Sequence, residues 1–173
     1  MITHSLAEGR ARSLALLDKA RWLPPLVARV TLGVLFLSTG WSKVHDLDKV
    51  TGFFTKLGIP APAFNATLVA YTETICGILL LLGLATRLAC VPLFITMVVA
   101  TVTAKLGQVH SLPDLFGLVE FTYLGLLLFI GVYGPGAFSV DVAIARALEQ
   151  HVATAPARRV ESAFDGPLRH RHA

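Results

Sequence analysis

Leu68-Val-Ala-Tyr-Thr-Glu-Thr-Ile-Cys-Gly-Ile-Leu-Leu-Leu-Leu-Gly-Leu84 is long and apolar enough to cross a bilayer, yet it carries one carboxylate, Glu73, away from both ends. A carboxylate at that depth is costly unless it is paired, protonated or near water. The other apolar segments must therefore supply its partner or its water. Gly77 follows one turn later on the same helix face. A glycine there lets a neighbouring backbone approach closely, so this face is expected to point into a helix bundle rather than at lipid.

Composition agrees with a membrane-embedded chain. Of 173 residues, 54% are hydrophobic and only 15% are charged, whereas soluble domains carry about 25% charged residues. The net charge is +4. The basic residues lie mainly on the tails and in one tight turn, so membrane topology explains them and nucleic acid is not an expected partner. The only cysteines, Cys76 and Cys90, fall inside apolar segments without a CxxC pair. They read as small packing residues, with no disulfide expected.

Working outward, residues 1–25 read as a basic, amphipathic head with Arg10, Arg12, Lys19 and Arg21, ending at Pro24-Pro25. Residues 26–136 read as a four-transmembrane-helix domain. Its spans are expected at about 26–44, 66–84, 88–104 and 117–133. In the first span Arg29, Gly33, Phe36, Gly40 and Lys43 step by 4, 3, 4 and 3, a seam along one face with a cation at each end. Residues 45–65 are too polar to cross and suit a short interfacial helix. The second and third spans form a hairpin through Leu84-Ala85-Thr86-Arg87, and Pro92 is expected in the first turns of the third, where it costs little. Residues 105–116 read as a loop carrying His110. Gly134-Pro135-Gly136 ends the fourth span. Ser139 then reads as an N-cap and Asp141 as a first-turn acid of an amphipathic cytoplasmic helix over 137–152. Residues 153–173 read as a disordered basic tail, with His170 and His172 solvated.

The fold class expected is all-α: an integral membrane four-helix bundle of two antiparallel hairpins, with amphipathic interfacial helices at both flanks. With both termini on one side, that side holds ten Lys and Arg and the other holds Lys43, Lys49, Lys56 and Lys105, leaving Arg29 aside. The positive-inside rule then puts both termini in the cytoplasm of a bacterial-type inner (plasma) membrane.

Several of these pieces resemble the DoxX-like family of small membrane proteins. Arg29-x3-Gly33-x2-Phe36-x3-Gly40-x2-Lys43 is similar to the family's first-helix signature. Gly58-Ile-Pro60, then Glu73-x3-Gly77 leading to Leu82-Gly83-Leu84-x-Thr86-Arg87, is similar to its middle section. Glu120 followed by an apolar run and Gly134-Pro135-Gly136-x2-Ser139-x-Asp141 resembles its closing motif. The match spans about residues 26–145. It implies a four-helix membrane bundle and a link to redox chemistry, because the family includes subunits of thiosulfate:quinone oxidoreductases and membrane partners in thiol and oxidative-stress systems. The chain shows no haem-ligand pair, CxxC or flavin motif of its own.

With helices rising about 1.5 Å per residue, Glu73, Lys43, Glu120 and His110 are all expected in the outer half of the bundle. Two carboxylates, an ammonium and an imidazole could bind a polar headgroup or a quinone carbonyl, or relay protons. The same carboxylates could serve only to hold Lys43 and the helices together. The spacing of His110 and the carboxylates matches no recognised metal motif, so no metal is expected. Arg29 and Arg87 are expected to contact lipid phosphates or helix-end carbonyls. Gly33, Gly40 and Gly77 are expected to pack helices closely. The reading adopted is a subunit or partner of a redox system, quinone-linked or thiol-related, with a soluble or membrane protein as redox partner and a homodimer as a way to enlarge the site. Its rivals are a small proton-coupled transporter using Glu73 and a membrane anchor that recruits a soluble enzyme.

Overall fold

The computed structural model describes residues 18–154 together with Leu14. The expectations for the first part of the basic head and for the tail beyond residue 154 therefore lie outside the described residues. Among those described, the structure is all-helical, with seven α-helices: α1 (Leu23–His45), α2 (Leu47–Lys56), α3 (Pro62–Leu82), α4 (Thr86–Ala100), α5 (Leu112–Gly117), α6 (Val119–Tyr133) and α7 (Val140–Thr154). A π-helical turn (Thr101–Lys105) and a 3-10 turn (Leu106–Gln108) extend α4.

Three helical segments are long and apolar enough to cross a membrane: Leu23–His45, Pro62–Leu82 and Thr86–Gln108. The sequence suggested four. Val119–Tyr133 is equally apolar but has 15 residues, about 22 Å at the α-helical rise, short of a hydrocarbon core of about 30 Å. The chain before it breaks at Leu118, which is extended (φ −69°, ψ 130°). Part of the stretch read as a loop is the short helix α5.

Other boundaries move for local reasons. Pro24 and Pro25 stand in the first turn of α1, where a missing N–H leaves no intrahelical bond unmade. Helix α3 begins at Pro62 for the same reason. Pro92 lies inside α4, six residues after Thr86, and so leaves the carbonyl four residues before it without its usual donor. Helix α3 ends at Gly83 (φ +67°), where Gly83 and Leu84 donate to the carbonyls of Leu80 and Leu79. That is the Schellman arrangement, and it suits glycine.

Helices α1 and α3 pack along their length, as do α4 and α6; α3 against α4 and α1 against α6 close the ring, and α2 lies on α3. The buried seam of α1 comprises Arg29, Leu32, Gly33, Phe36 and Gly40, the face its spacing picks out. Phe36, Leu32, Leu80, Leu93, Leu127 and Ile130 fill the centre. Cys76 and Cys90 are free thiols buried in the same core. Residues 143–154, most of α7, belong to a separate compact unit; Ile144 and Leu148 there are exposed.

Candidate functional site

Close helix packing brings the charges together. A Cβ on Gly40 would stand 2.5 Å from the backbone nitrogen of Thr74, and one on Gly77 would stand 2.5 Å from that of Leu37. A Cβ on Gly33 would stand 2.8 Å from the Leu81 side chain and 3.1 Å from its backbone nitrogen. With no side chains between them, the α1 and α3 backbones meet, and residues one turn further on face each other.

One of those residues is Lys43. Its ammonium donates to Glu73 Oε1 at 2.5 Å. Thr39, one turn before Lys43 on α1, donates to Glu73 Oε2 at 3.1 Å. Each oxygen of the carboxylate therefore has a donor, both from one face of α1, and a buried charge is tolerated only when so satisfied. Glu73 is 1% exposed, whereas the Lys43 side chain is 31% exposed. Thr39 did not stand out in the sequence, although its spacing from Lys43 (i, i+4) was a usable signal.

Lys43 and Glu73 open onto a cavity of about 480 Å³ between α3, α4 and the α2–α3 connection. Its walls are mainly apolar, from Phe54, Leu57, Ile59, Leu68, Ile95 and Val99, with Asn65, Thr96 and Thr103 as further polar groups. Gly58 (φ +71°) and Ala61 (φ +45°) bend the connection that forms one side. Asn65 ties it down by donating to the Pro60 carbonyl at 2.6 Å. Ala100 and Thr103 flank and enter the π-helical turn. Such turns often mark functional positions in helices.

Glu120 and His110 do not join this pair. Glu120 lies 3.8 Å from Lys105, in a separate partly exposed pair. The His110 ring is exposed, and its backbone N–H donates to Asp114 at 3.1 Å. Of the four residues expected together from helix depth, only Lys43 and Glu73 meet, Glu120 pairs with Lys105 instead and His110 stays in the loop, because depth alone does not say which face a residue occupies. Among the described residues no group of three or more His, Cys, Asp or Glu could hold a metal ion.

A second polar assembly lies at the other end of α1. Arg29, 3% exposed, donates to the carbonyls of Pro135 at 2.8 Å and Phe138 at 2.5 Å. Its guanidinium packs over Gly83. Asp141 accepts from the backbone N–H groups of Ala85 (2.7 Å) and Thr86 (3.1 Å), and its own N–H donates to Gly83 O at 3.1 Å. Ser139 caps α7, accepting from Val142 N–H at 3.2 Å. Asp141 is the first-turn acid of α7 that the sequence suggests. It also caps α4, whose preceding residues Leu84 and Ala85 offer no capping side chain. That lack was the signal, since the first N–H groups of a helix must find acceptors somewhere. Arg87 is exposed and donates from Nη2 to the Val132 carbonyl at 3.4 Å.

Known proteins are similar to this chain in sequence. The DoxX family model matches residues 25–106. The membrane protein Rv3486 of Mycobacterium tuberculosis is 38% identical over 68% of this chain and 80% of its own length. The chain belongs to the DoxX family. CatD of Bacillus subtilis, whose name makes it a candidate oxidoreductase, is 34% identical over 64% of this chain and 78% of its own. The inner membrane protein YphA of Escherichia coli is 29% identical over 67% and 86%. No solved structure matches the chain. As a DoxX-family protein it is a membrane protein, and the matched segment contains both the glycine contacts and the Lys43–Glu73 pair.

Proposed function

We propose that this DoxX-family protein is the membrane-embedded component of a redox system, and that the Lys43–Glu73 pair is the polar end of its ligand site. The carrying observation is an ion pair, with a buried carboxylate and a partly exposed ammonium, that opens onto a mainly apolar cavity of about 480 Å³. One of the three ammonium donors goes to Glu73, and the exposed third of Lys43 leaves others for a hydrogen-bond acceptor. Glu73 compensates the charge, so an uncharged acceptor suits the site better than an anion. A quinone carbonyl with a prenyl tail has that form. CatD, whose name makes it a candidate oxidoreductase, supports the redox class. The chain's own residues would bind and orient such a molecule; electrons would come from a partner protein. In this reading both termini face the cytoplasm and the pair lies in the outer half of the protein.

The test is purification of the full chain from its native membrane in mild detergent, with mass spectrometry of co-purifying proteins and lipids. Wild type should carry quinone near stoichiometrically together with a redox protein, and the double variant Lys43→Met/Glu73→Gln, which strands no buried charge, should lose the quinone while still folding. Equal quinone in both, or none in either, overturns the reading. The deep burial of Glu73 favours one rival, proton-coupled transport. Substrate-dependent proton uptake in liposomes that Glu73→Gln abolishes would establish that instead.

A further inference from the structure

A third region of the molecule joins a cation to an apolar groove. The groove has a volume of about 270 Å³ and runs between α4 and α6. From α4, Arg87, Val91 and Ile95 line it; from α6, Leu128, Gly131 and Val132 do. Arg87, Val91 and Ile95 are four residues apart, so they form one stripe. Ile95 lies about 12 Å along the helix from Arg87 at the α-helical rise. Gly131 provides depth: a Cβ there would touch only Cys90, at 3.7 Å. Val91, Ile95, Leu128 and Val132 are each more than half exposed, so this face meets the surrounding medium. For a membrane protein, that medium along a spanning helix is lipid.

The guanidinium at the end of this groove is underused. Arg29, another cation at this end, is buried and occupied by two carbonyls. Arg87 carries five N–H donors. Its one hydrogen bond to another described residue is the 3.4 Å contact with Val132, and among the described residues no carboxylate lies within ion-pair distance of it. A planar fork of donors at the membrane-boundary end of an apolar groove matches a phosphate on an acyl chain.

We infer that Arg87 and the α4–α6 groove form a binding site for one anionic phospholipid, with its phosphate on the guanidinium and an acyl chain lying past Gly131. Ile95 borders both this groove and the Lys43–Glu73 cavity, but the cation here is Arg87, and the proposal does not depend on the function proposed for that cavity. A second copy of the chain is a poorer occupant. A two-fold pairing through the same patch would set Arg87 against Arg87, and like charges in a low-dielectric interface repel.

The experiment uses the full chain in nanodiscs of equimolar phosphatidylglycerol and phosphatidylcholine, with retained lipid counted by native mass spectrometry after release. Wild type should retain one phosphatidylglycerol in preference to phosphatidylcholine. Arg87→Gln should cut that preference by about tenfold or more, because a direct charge-assisted bond outweighs general attraction to an anionic surface. Gly131→Leu keeps the charge but fills the groove, and should lose the lipid to a similar degree. Arg87→Lys should retain part of the preference. Arg146→Gln controls for the loss of a basic residue elsewhere, and thermal melting of each variant confirms folding. The site is overturned if Arg87→Gln has no more effect than Arg146→Gln, if folded Gly131→Leu retains the lipid, or if retention is equal for both lipids. Displacement of the lipid by inorganic phosphate alone would overturn the role of the groove.

Discussion

Gly40 of α1 lies so close to Thr74 of α3 that a Cβ on the glycine would stand 2.5 Å from the Thr74 backbone nitrogen and 2.7 Å from its hydroxyl. The residue before Thr74 is Glu73, and three residues after Gly40 comes Lys43. The contact and the ion pair are therefore consecutive parts of one interface. Widening the first separates the second.

Gly40→Ala should destabilise the protein by about 1–3 kcal/mol, the usual cost of overpacking, because the obstacle is backbone and cannot rotate away. Gly125→Ala is the control, since a Cβ there meets nothing within 4 Å. Thermal melting in detergent measures both. Equal melting of the two variants would mean that α1 and α3 do not pack as described.

The Lys43–Glu73 pair should show strong coupling. Glu73→Gln removes the charge that balances a partly buried ammonium, and breaking a fully buried pair costs about 3–5 kcal/mol. Lys43 is 31% exposed, so water screens part of that and the loss should fall below this range. Adding Lys43→Met should recover most of the lost stability. A double-mutant cycle read by melting gives the coupling, and strictly additive losses would show that the contact contributes nothing. Thr39→Val should cost less than Glu73→Gln, because it removes one donor and leaves the charges paired.

Asp141→Ala leaves the Ala85 and Thr86 N–H groups without acceptors and should cost about 1–3 kcal/mol. It also releases Ala85 (φ +47°) from the contact that holds its left-handed backbone. Asp141→Asn keeps one acceptor oxygen and should lose about half as much, at the lower end of the same range. If the two variants melt together, the carboxylate acts through its charge rather than as a cap.

Topology can be tested by labelling. With the ten-to-four charge bias, a cysteine at Lys56 in a cysteine-free background should react with a membrane-impermeant thiol reagent from outside the cell. Reaction only from the cytoplasmic side would reverse the orientation.

The turn around Asp114 should respond to acid. Hydrogen bonds from the Ser111 side chain and then from the His110 backbone N–H lower the Asp114 pKa below the usual carboxylate value. A depressed folded-state pKa stabilises the turn above the ordinary carboxylate range, and that contribution is lost as pH falls through the lowered value. Amide exchange at His110, corrected for intrinsic rate, should therefore be slowed at neutral pH and speed up in strong acid. The Asp114→Asn variant should largely lose that pH dependence.

The sequence by itself determined the membrane class, the inward faces of α1 and α3, and the glycines at their contact. Those follow from hydropathy and from a 3.6-residue period, both of which are local. It also placed Lys43 at the end of α1 within side-chain reach of the depth of Glu73, since depth follows from counting residues. Rotation about each helix axis is not written in residue number, and only the tertiary structure decided it. That is why Glu120 faces Lys105 rather than Glu73, and why Thr39 takes the second oxygen of the carboxylate. The start of α6 was likewise settled by the extended backbone of Leu118, just after Gly117. Asp141 shows the difference most plainly. Its position after Ser139 suits a first-turn acid of its own helix, but the unmet N–H groups at Ala85 and Thr86 lie more than fifty residues away in sequence. Only folding brings that need and that acceptor together.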